Sequence, residues 1–455
     1  MLQPPDLVPT QCVPRRQRIE AMVAISVAVG MATLDTAITN TALPTIARDI
    51  GTDGASSIWV VNAYQLVVVA ALLPLAALGE IAGHRRVYIA GLILFTVTSL
   101  ACGLAWSLPT LVAARAAQGL GAAAIMSVNT ALIRFIYPAR TLGRGLGMNA
   151  LVVGLAFTVG PAVASAILSV TTWHWLFLIN VPAGAIAMGL SWRSLPLTRR
   201  ADRSFDAVAA ILCAGCFALL ILGFGAVAHG GSWWLIGAEW VGASLCGLAL
   251  ALREAGHPAP LLAVDLFRRP VFALSALTAV CSFAAQGLAF VSLPFLLQDV
   301  MGHSQVATGF LMTPWPAVVA LMAPIAGHLS DRYPVGLLAG VGLFIFCVGM
   351  GSLALMPSDP GTLDIAWRMV LCGMGFGFFQ SPNLRALIGS VPPERSGGAS
   401  GIVATARLLG QSVGAALVAL CLTRANIAGP ELALWMGCAF AGIGSVVSLL
   451  RLMQA

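Results

Sequence analysis

Long apolar segments recur along the chain from Ala21 to Leu450, separated by short polar stretches. About 20 apolar residues in a helix cross the roughly 30 Å hydrocarbon layer of a bilayer. Only helices and closed barrels satisfy the backbone there, and these segments are too long and too uniformly apolar for the alternating strands of a barrel. The pattern therefore predicts an all-α membrane protein with fourteen spans, numbered 1 to 14. Their predicted ranges are 21–43, 57–78, 87–106, 109–133, 145–169, 175–195, 207–228, 234–252, 271–297, 306–328, 335–356, 365–388, 397–421 and 432–450.

The composition agrees with a membrane protein. Hydrophobic residues make up 59% of the 455 positions and charged residues only 9%, whereas soluble domains carry roughly 25% charged residues. The net charge of +7 comes from arginines scattered in small groups, which do not form the contiguous basic patch that nucleic-acid binding needs. Cys213 and Cys216 form a C-x-x-C, but it lies within a span without a second Cys or His pair. We therefore interpret both as small apolar residues rather than as a redox or metal site.

The arginines also predict the orientation. With the N-terminus in the cytoplasm, 19 arginines fall in cytoplasmic segments and only Arg48, Arg368 and Arg424 fall outside. Cytoplasmic loops carry the excess of positive charge, so the count favours an even number of spans with both termini cytoplasmic in a bacterial inner membrane. Because no signal-peptide cleavage pattern precedes span 1, we expect that helix to remain uncleaved.

The polar stretches also divide the chain. The longest ones, 193–206 and 253–270, bracket two spans. We predict an N-terminal six-helix half at 1–196, a two-helix insert with flanking cytoplasmic loops at 197–265, and a C-terminal six-helix half at 266–455. Similar loops follow span 2 and span 10, which is the second span of the last six, and such parallel repeats are typical of transporters.

Three span motifs resemble those of a known family. Span 1 contains L-D-T-A-I-T-N-T-A-L-P at 34–44, span 4 contains R-A-A-Q-G-L-G at 115–121, and span 5 contains Gly154 followed by Gly160 and Pro161. In this order they resemble the signatures of the major facilitator superfamily, specifically its fourteen-span drug:proton antiporters. The resemblance covers nearly the whole chain. It implies the major facilitator fold, with two six-helix halves plus a two-helix insert, and proton-coupled export of small organic compounds by alternating access.

Asp35 and Arg115 are the expected proton-coupling residues. Asp35 is the only acid that we place well inside a predicted span, and apolar surroundings favour its neutral form, so it can bind and release a proton. Arg115 keeps its charge and must face a cavity or a partner, for which Asp35 is the obvious candidate. Two alternatives stay open, namely that Asp35 only bonds neighbouring Thr or Asn side chains and that Arg115 extends to the outer interface.

The loop between spans 2 and 3 is similar to the superfamily's G-x-L-x-D-R-x-G-R-R loop. It departs from that pattern at Ala76, Glu80 and Ile81. The resemblance implies a cytoplasmic latch between the halves, and the alternative is a plain loop that follows the positive-inside rule. The candidate latch residues are Glu80, Gly83, Arg85, Arg86, Asp331 and Arg332.

The span 5 motif resembles the antiporter signature G-x-x-x-G-P-x-x-G-G. Ala156, Ala164 and Ser165 replace three of its glycines but are all small, so neighbouring helices can still approach closely. Pro161 permits a bend. The resemblance therefore favours antiport over symport and assigns Gly154, Gly160 and Pro161 to the motif.

Further polar side chains lie within the spans and are candidates for a substrate cavity, although each could equally bond a neighbouring helix. We find no acid within a span of the second half, which argues against dicationic substrates. The candidates are Asn40, Gln118, Gln286, Gln380, Asn383, Arg407 and Gln411.

These observations predict a secondary transporter rather than an enzyme. A Walker loop is absent from the sequence, so ATP is not the energy source, and the six dispersed histidines show no metal-ligand spacing. We expect no cofactor, no metal and no nucleic-acid partner. The expected partners are a small organic substrate, protons and the lipid bilayer, and we expect the protein to function as a monomer. The alternative function is a dedicated exporter or importer of a single metabolite on the same fold.

Overall fold

The computed structural model describes residues 14–138, 141–198, 205–228, 231–254, 264–357, 359–391 and 396–453. Within these ranges the chain forms helices and no strand, and fourteen helical segments are long and apolar enough to cross a membrane. The prediction of an all-α membrane protein with fourteen spans is therefore confirmed.

The helices that form the spans follow the predicted order. Span 1 is Arg15–Ile50, span 2 is Gly54–Ser57 with Trp59–Ala82, span 3 is His84–Gly103, span 4 is Leu108–Ile136, span 5 is Leu142–Val170, span 6 is Trp175–Leu178 with Asn180–Ser194, and span 7 is Ala207–Ala228. Span 8 is Trp233–Arg253, span 9 is Pro270–Phe295 extended by a π-helix at Leu296–Val300, span 10 is Gln305–Met312 with Pro314–Leu329, span 11 is Val335–Ala354, span 12 is Thr362–Gly389, span 13 is Ser396–Ala425 and span 14 is Gly429–Leu450.

Most spans are longer than predicted, and the difference is largest for span 1. Span 1 begins six residues before the predicted range and ends at Ile50 rather than at residue 43. Hydropathy marks only the segment in contact with hydrocarbon, whereas a helix continues through its polar ends until a residue stops it. Gly51, at φ +73°, stops span 1 in the left-handed conformation that glycine adopts without strain.

Close packing of span 3 on span 4 is repeated by span 11 on span 12. A Cβ added at Gly121 would lie 2.6 Å from the backbone nitrogen of Phe95, and one added at Gly375 would lie 2.3 Å from that of Phe346. Both contacts require glycine, because larger residues would push the backbones apart. The two pairs occupy corresponding places in the first six and the last six spans, as expected for repeated halves.

The first six and the last six spans meet at the end of the bundle where span 1 ends, which we call the distal end. Gln298 in the π-helix accepts a hydrogen bond from Arg48 at 2.9 Å and donates one to the carbonyl of Thr41 at 3.3 Å. Spans 5 and 10 also meet there, where the Ser165 hydroxyl donates to the carbonyl of Gln305 at 3.0 Å. These contacts tie the halves together at the distal end.

Spans 7 and 8 pack on each other, and span 7 also contacts spans 2 and 13. Spans 2 and 13 meet directly, since the Ser412 hydroxyl donates to Gln65 Oε1 at 3.2 Å. The pair of extra helices therefore lies beside a seam between the first and last six spans. The domain bounds at 196 and 265 stay a prediction.

Candidate functional site

Asp35 lies in the middle of span 1 and is completely buried. Arg115, 80 residues further on in span 4, is also completely buried, and its NH1 group donates to Asp35 Oδ2 at 2.5 Å. Neither charge would be stable alone in this apolar setting, so each requires the other. The structure thus brings together the two residues predicted for proton coupling.

Two amide side chains bind the other oxygen of Asp35. Asn180 Nδ2 donates to Oδ1 at 2.7 Å, and Gln118 Nε2 donates to the same oxygen at 3.1 Å. Gln118 also accepts a hydrogen bond from Arg115 at 2.6 Å and donates to Ser99 at 2.8 Å. We call Asp35, Ser99, Arg115, Gln118 and Asn180 the Asp35 cluster. It joins spans 1, 3, 4 and 6 in a fully buried polar network.

The rest of the Arg115 side chain is held by span 2 and span 6. Its Nε group donates to the carbonyl of Val60 at 3.1 Å. The centre of its guanidinium lies 4.2 Å from the ring centroid of Tyr64 and 5.5 Å from that of Phe177, within the range of cation–π attraction. An arginine so enclosed does not extend to the outer interface, so the alternative position for Arg115 is excluded in this conformation.

Asn180 and Glu239 had been overlooked in the sequence. Asn180 begins the main helix of span 6. The feature of the sequence that could have identified it is an amide side chain within an aromatic and apolar segment. Glu239 lies within span 8, where its Oε2 atom is buried without a hydrogen-bond partner. Asp35 is thus not the only carboxylate within a span, but Glu239 belongs to the pair of extra helices.

The candidate latch residues lie at the end of the bundle opposite the distal end, which we call the proximal end. Gly83 connects spans 2 and 3 at φ +101°, a conformation that other residues rarely adopt. Arg85 donates to the carbonyl of Trp192 at the end of span 6, at 2.5 Å. Glu80 and Arg86 are exposed. The described contact of Arg85 thus stays within the first six spans.

The second copy of the loop contains an ion pair between Asp331 and Arg385, which links spans 10 and 12. Arg385 also donates to the Ser330 hydroxyl at 3.1 Å, and Arg332 is exposed. Both partners of this ion pair belong to the last six spans. Asp331 therefore does not reach the first half in this conformation, and a latch between the halves stays a prediction.

The span 5 motif lies between spans 1 and 10. A Cβ added at Gly160 would lie 2.4 Å from the Ala37 Cβ, so this glycine allows span 5 to approach span 1 closely. A Cβ added at Gly309 of span 10 would lie 2.3 Å from the carbonyl oxygen of Pro161. Gly154 has open space around it, so only Gly160 and Pro161 take part in close contacts.

The other cavity candidates fall into two groups. Asn383 is buried, donating to the Ser275 carbonyl at 3.2 Å and accepting from Arg451 at 2.9 Å. The Asn383 amide is therefore used inside the last six spans rather than on a substrate path. Arg451, which we had counted among the loop arginines, is only 3% exposed because spans 9, 12 and 14 enclose it.

The remaining candidates are less constrained. Gln411 donates to Gln286 at 3.2 Å, joining span 13 to span 9. Gln380 and Arg407 are partly exposed and form neither a hydrogen bond nor an ion pair with a described residue. Asn40 is buried with an unbonded Oδ1 atom. Within the described residues, no group of three or more His, Cys, Asp or Glu could hold a metal ion.

Fourteen apolar spans that enclose a buried ion pair between spans 1 and 4 define a multi-pass membrane protein of the secondary-transporter class. The profile described as Major Facilitator Superfamily matches residues 25–415, and the chain belongs to that superfamily. The predicted family and major facilitator fold are thereby confirmed, and the protein is a transporter rather than an enzyme.

Several relatives are similar over most of their length. The chain is 51% identical to the "Uncharacterized transporter YebQ" of Escherichia coli (strain K12) over 97% of both chains. It is 31% identical to the "Riboflavin transporter RibZ" of Clostridioides difficile (strain 630), over 88% of this chain and 87% of the relative. It is 32% identical to the "Multidrug resistance protein Stp" of Mycobacterium tuberculosis, over 89% of this chain and 75% of the relative.

Solved structures share the fold. A POT family transporter superposes with a TM-score of 0.72 at 13% identity, covering 95% of each chain. A bacterial homologue of the human lysosomal transporter Spinster, in an inward-facing and unoccupied conformation, superposes with a TM-score of 0.68 at 15% identity, covering 96% of this chain and 97% of the other. At such low identity the likeness concerns the fold alone.

Proposed function

We propose that the protein is a proton-coupled antiporter that exports small organic compounds by alternating access. The observation that supports this most directly is the Asp35 cluster, in which a carboxylate buried at mid-membrane is paired with an arginine of another span. Relatives named for export and resistance add support, among them the multidrug resistance protein Stp and a tetracenomycin C resistance and export protein of Streptomyces glaucescens, which is 29% identical over 87% of this chain and 74% of its own.

The geometry suggests how a proton would act. While Asp35 is ionised, its charge balances Arg115 and holds spans 1 and 4 together. Removing one partner of a buried pair costs about 3–5 kcal/mol, so protonation of Asp35 favours a second conformation, in which water compensates Arg115 and the substrate binds less tightly. A proton thereby changes the relative free energies of two conformations, which is the requirement for coupling it to transport.

The proposed setting follows from the arginine distribution. We place the protein in a bacterial inner membrane with both termini at the cytoplasmic face, as a monomer. The proximal end then faces the cytoplasm, and the contacts of Gln298 close the opposite side. The loops of Glu80 and Asp331 would act as latches only when the proximal end closes.

The test is efflux of a panel of fluorescent dyes from cells that express the protein, with and without an uncoupler. Proton-coupled export predicts faster efflux than in cells expressing Asp35→Asn, and an uncoupler should abolish the difference. Efflux that is equal in both strains for every dye, or that the uncoupler leaves unchanged, would contradict proton-coupled export through Asp35.

A transporter of one metabolite is the second candidate, because the relative RibZ is named as a riboflavin transporter. In that case one compound should be transported with high affinity and structurally unrelated compounds should fail to compete. Competition among unrelated dyes for one saturable route would instead support the first candidate.

A further inference from the structure

Arg407 is a cation deep within span 13 whose charge no described residue neutralises. It lies eleven residues after the start of the helix Ser396–Ala425, which at 1.5 Å per residue is roughly 17 Å along the helix. Its guanidinium forms neither a hydrogen bond nor an ion pair with the described residues, and its side chain is partly exposed. Arg115, in contrast, is fully enclosed and paired with Asp35.

The contacts of span 13 show which way Arg407 faces. Gly410 packs on span 9, where an added Cβ would lie 2.6 Å from the Val280 carbonyl oxygen. Ser412 bonds Gln65 of span 2 in the other half. Gln411 lies between Gly410 and Ser412 and therefore points between spans 9 and 2, and its side chain bonds Gln286 of span 9. Arg407 is one turn before Gln411 and lies on the same helix face. Arg407 therefore faces the space between spans 9 and 2, where the halves meet.

A second unbonded polar group lies on span 12, and several aromatic rings pack on spans 5, 9 and 10. Gln380 of span 12 is partly exposed, and it lies on the helix face between Phe376, which packs on span 9, and Gly377, which packs on span 10. One turn beyond Gln286, the Phe290 ring lies 5.1 Å from that of Phe157 and 4.9 Å from that of Trp315. Phe290 and Trp315 are only 4% and 1% exposed, so the half-buried Phe157 is the ring of this group that can contact a bound molecule.

A purely structural role does not account for this arginine. A guanidinium keeps its charge, and a charge at this depth is costly unless a partner or water compensates it. Roughly 17 Å of helix separate it from the proximal helix end, too far for its side chain to reach the interface. An arginine that packs a helix bundle is expected to bond carbonyls or hydroxyls, as Arg451 does with Ser275 and Ser448.

We propose that Arg407 is the anion-recognition residue of the substrate cavity and selects compounds that carry a carboxylate. The planar guanidinium matches a carboxylate with two parallel hydrogen bonds. Gln411, one turn from Arg407 on the same helix face, offers a further amide donor, and the half-buried Phe157 ring offers an apolar contact for the rest of the molecule. This inference rests on the proposed transport function, but it concerns selectivity and does not depend on proton coupling.

The test uses two probes of nearly the same shape, naphthoate and its uncharged amide, naphthamide. Binding is measured by calorimetry on the full-length protein in nanodiscs of phosphatidylcholine, which provide no anionic headgroup. A charge-assisted hydrogen bond contributes about 1.5–3 kcal/mol, so wild type should bind naphthoate roughly ten-fold or more tightly than naphthamide. Arg407→Gln should lose this preference and still bind naphthamide, whereas Arg407→Lys should keep part of it.

The matched control is Arg424→Gln, which removes the same charge from the exposed distal end of the same helix and should retain the preference. Equal binding of the two probes by wild type, or no binding of naphthoate at millimolar concentration, would overturn the proposal even if Arg407→Gln failed to fold. If naphthoate does not bind, and phosphatidylglycerol added to the nanodiscs binds to wild type but not to Arg407→Gln, Arg407 recognises a lipid and the proposal is overturned. If wild type prefers naphthoate to naphthamide but cells expressing it show no uncoupler-sensitive efflux, only the proposed proton coupling is contradicted.

Discussion

At the scale of single residues, the hydrogen bonds of Asp35 explain how a charge can be stable in the middle of the bundle. Both carboxylate oxygens are occupied, one by Arg115 and the other by Asn180 and Gln118. The pairing of Asp35 with Arg115 was predictable, because two opposite charges within apolar spans must compensate each other. The part played by Asn180 was not, since only the packing of span 6 against span 1 brings its amide to the carboxylate.

Asn180→Ala should slow proton-coupled efflux by roughly ten-fold, because a hydrogen bond to a charged group contributes about 1.5–3 kcal/mol. Efflux rates from proteoliposomes with an imposed pH gradient measure this effect. Asn149→Ala is the matched control, since Asn149 accepts a hydrogen bond from Asn129 at 2.9 Å outside the Asp35 cluster. An equal loss in both variants would indicate general destabilisation instead.

Arg115→Lys should lose most transport activity even though the positive charge remains. Lysine lacks the planar group that binds Asp35, Gln118 and the Val60 carbonyl at once. The comparison is with Arg424→Lys, which alters an exposed arginine at the distal end of span 13. Full activity of Arg115→Lys in the efflux assay would show that charge alone is sufficient at this position.

At the scale of elements, glycines decide how closely the helices approach. Gly160→Val should destabilise the protein by about 1–3 kcal/mol, because the added side chain overlaps Ala37 in a packed interface. Gly154→Val is the matched control in the same helix, where no atom lies within 4 Å of an added Cβ. The thermal unfolding midpoints of the purified variants should differ, and equal midpoints would remove Gly160 from the contact between spans 1 and 5.

The elements also show where sequence patterns reach their limit. Hydropathy predicted every span, since each apolar segment must cross the same hydrocarbon thickness. It placed Arg451 in a flanking loop, because the apolar segment ends just before it, whereas the hydroxyl of Ser275 and the amide of Asn383 draw its guanidinium into the last six spans. Only tertiary packing brings those three residues together.

At the scale of the whole molecule, both halves and the two extra helices give an even number of crossings. Reporter fusions after Arg200 and after Leu261 should both report the cytoplasm, because the positive-inside rule places the loops on either side of spans 7 and 8 at the same face. A fusion in the short connection between spans 7 and 8 is the internal control and should report the opposite face. If either cytoplasmic fusion reported the outside, the fourteen-span topology would be wrong.

Proton release on substrate binding tests the central claim most directly. Purified wild type in weak buffer should release protons when a transported compound is added, because the compound favours the conformation in which Asp35 is ionised and paired with Arg115. Asp35→Asn cannot ionise at this position, so it should bind the compound without releasing protons, and the release is measured with a pH indicator dye. If wild type and Asp35→Asn released the same number of protons, Asp35 would not be the coupling site.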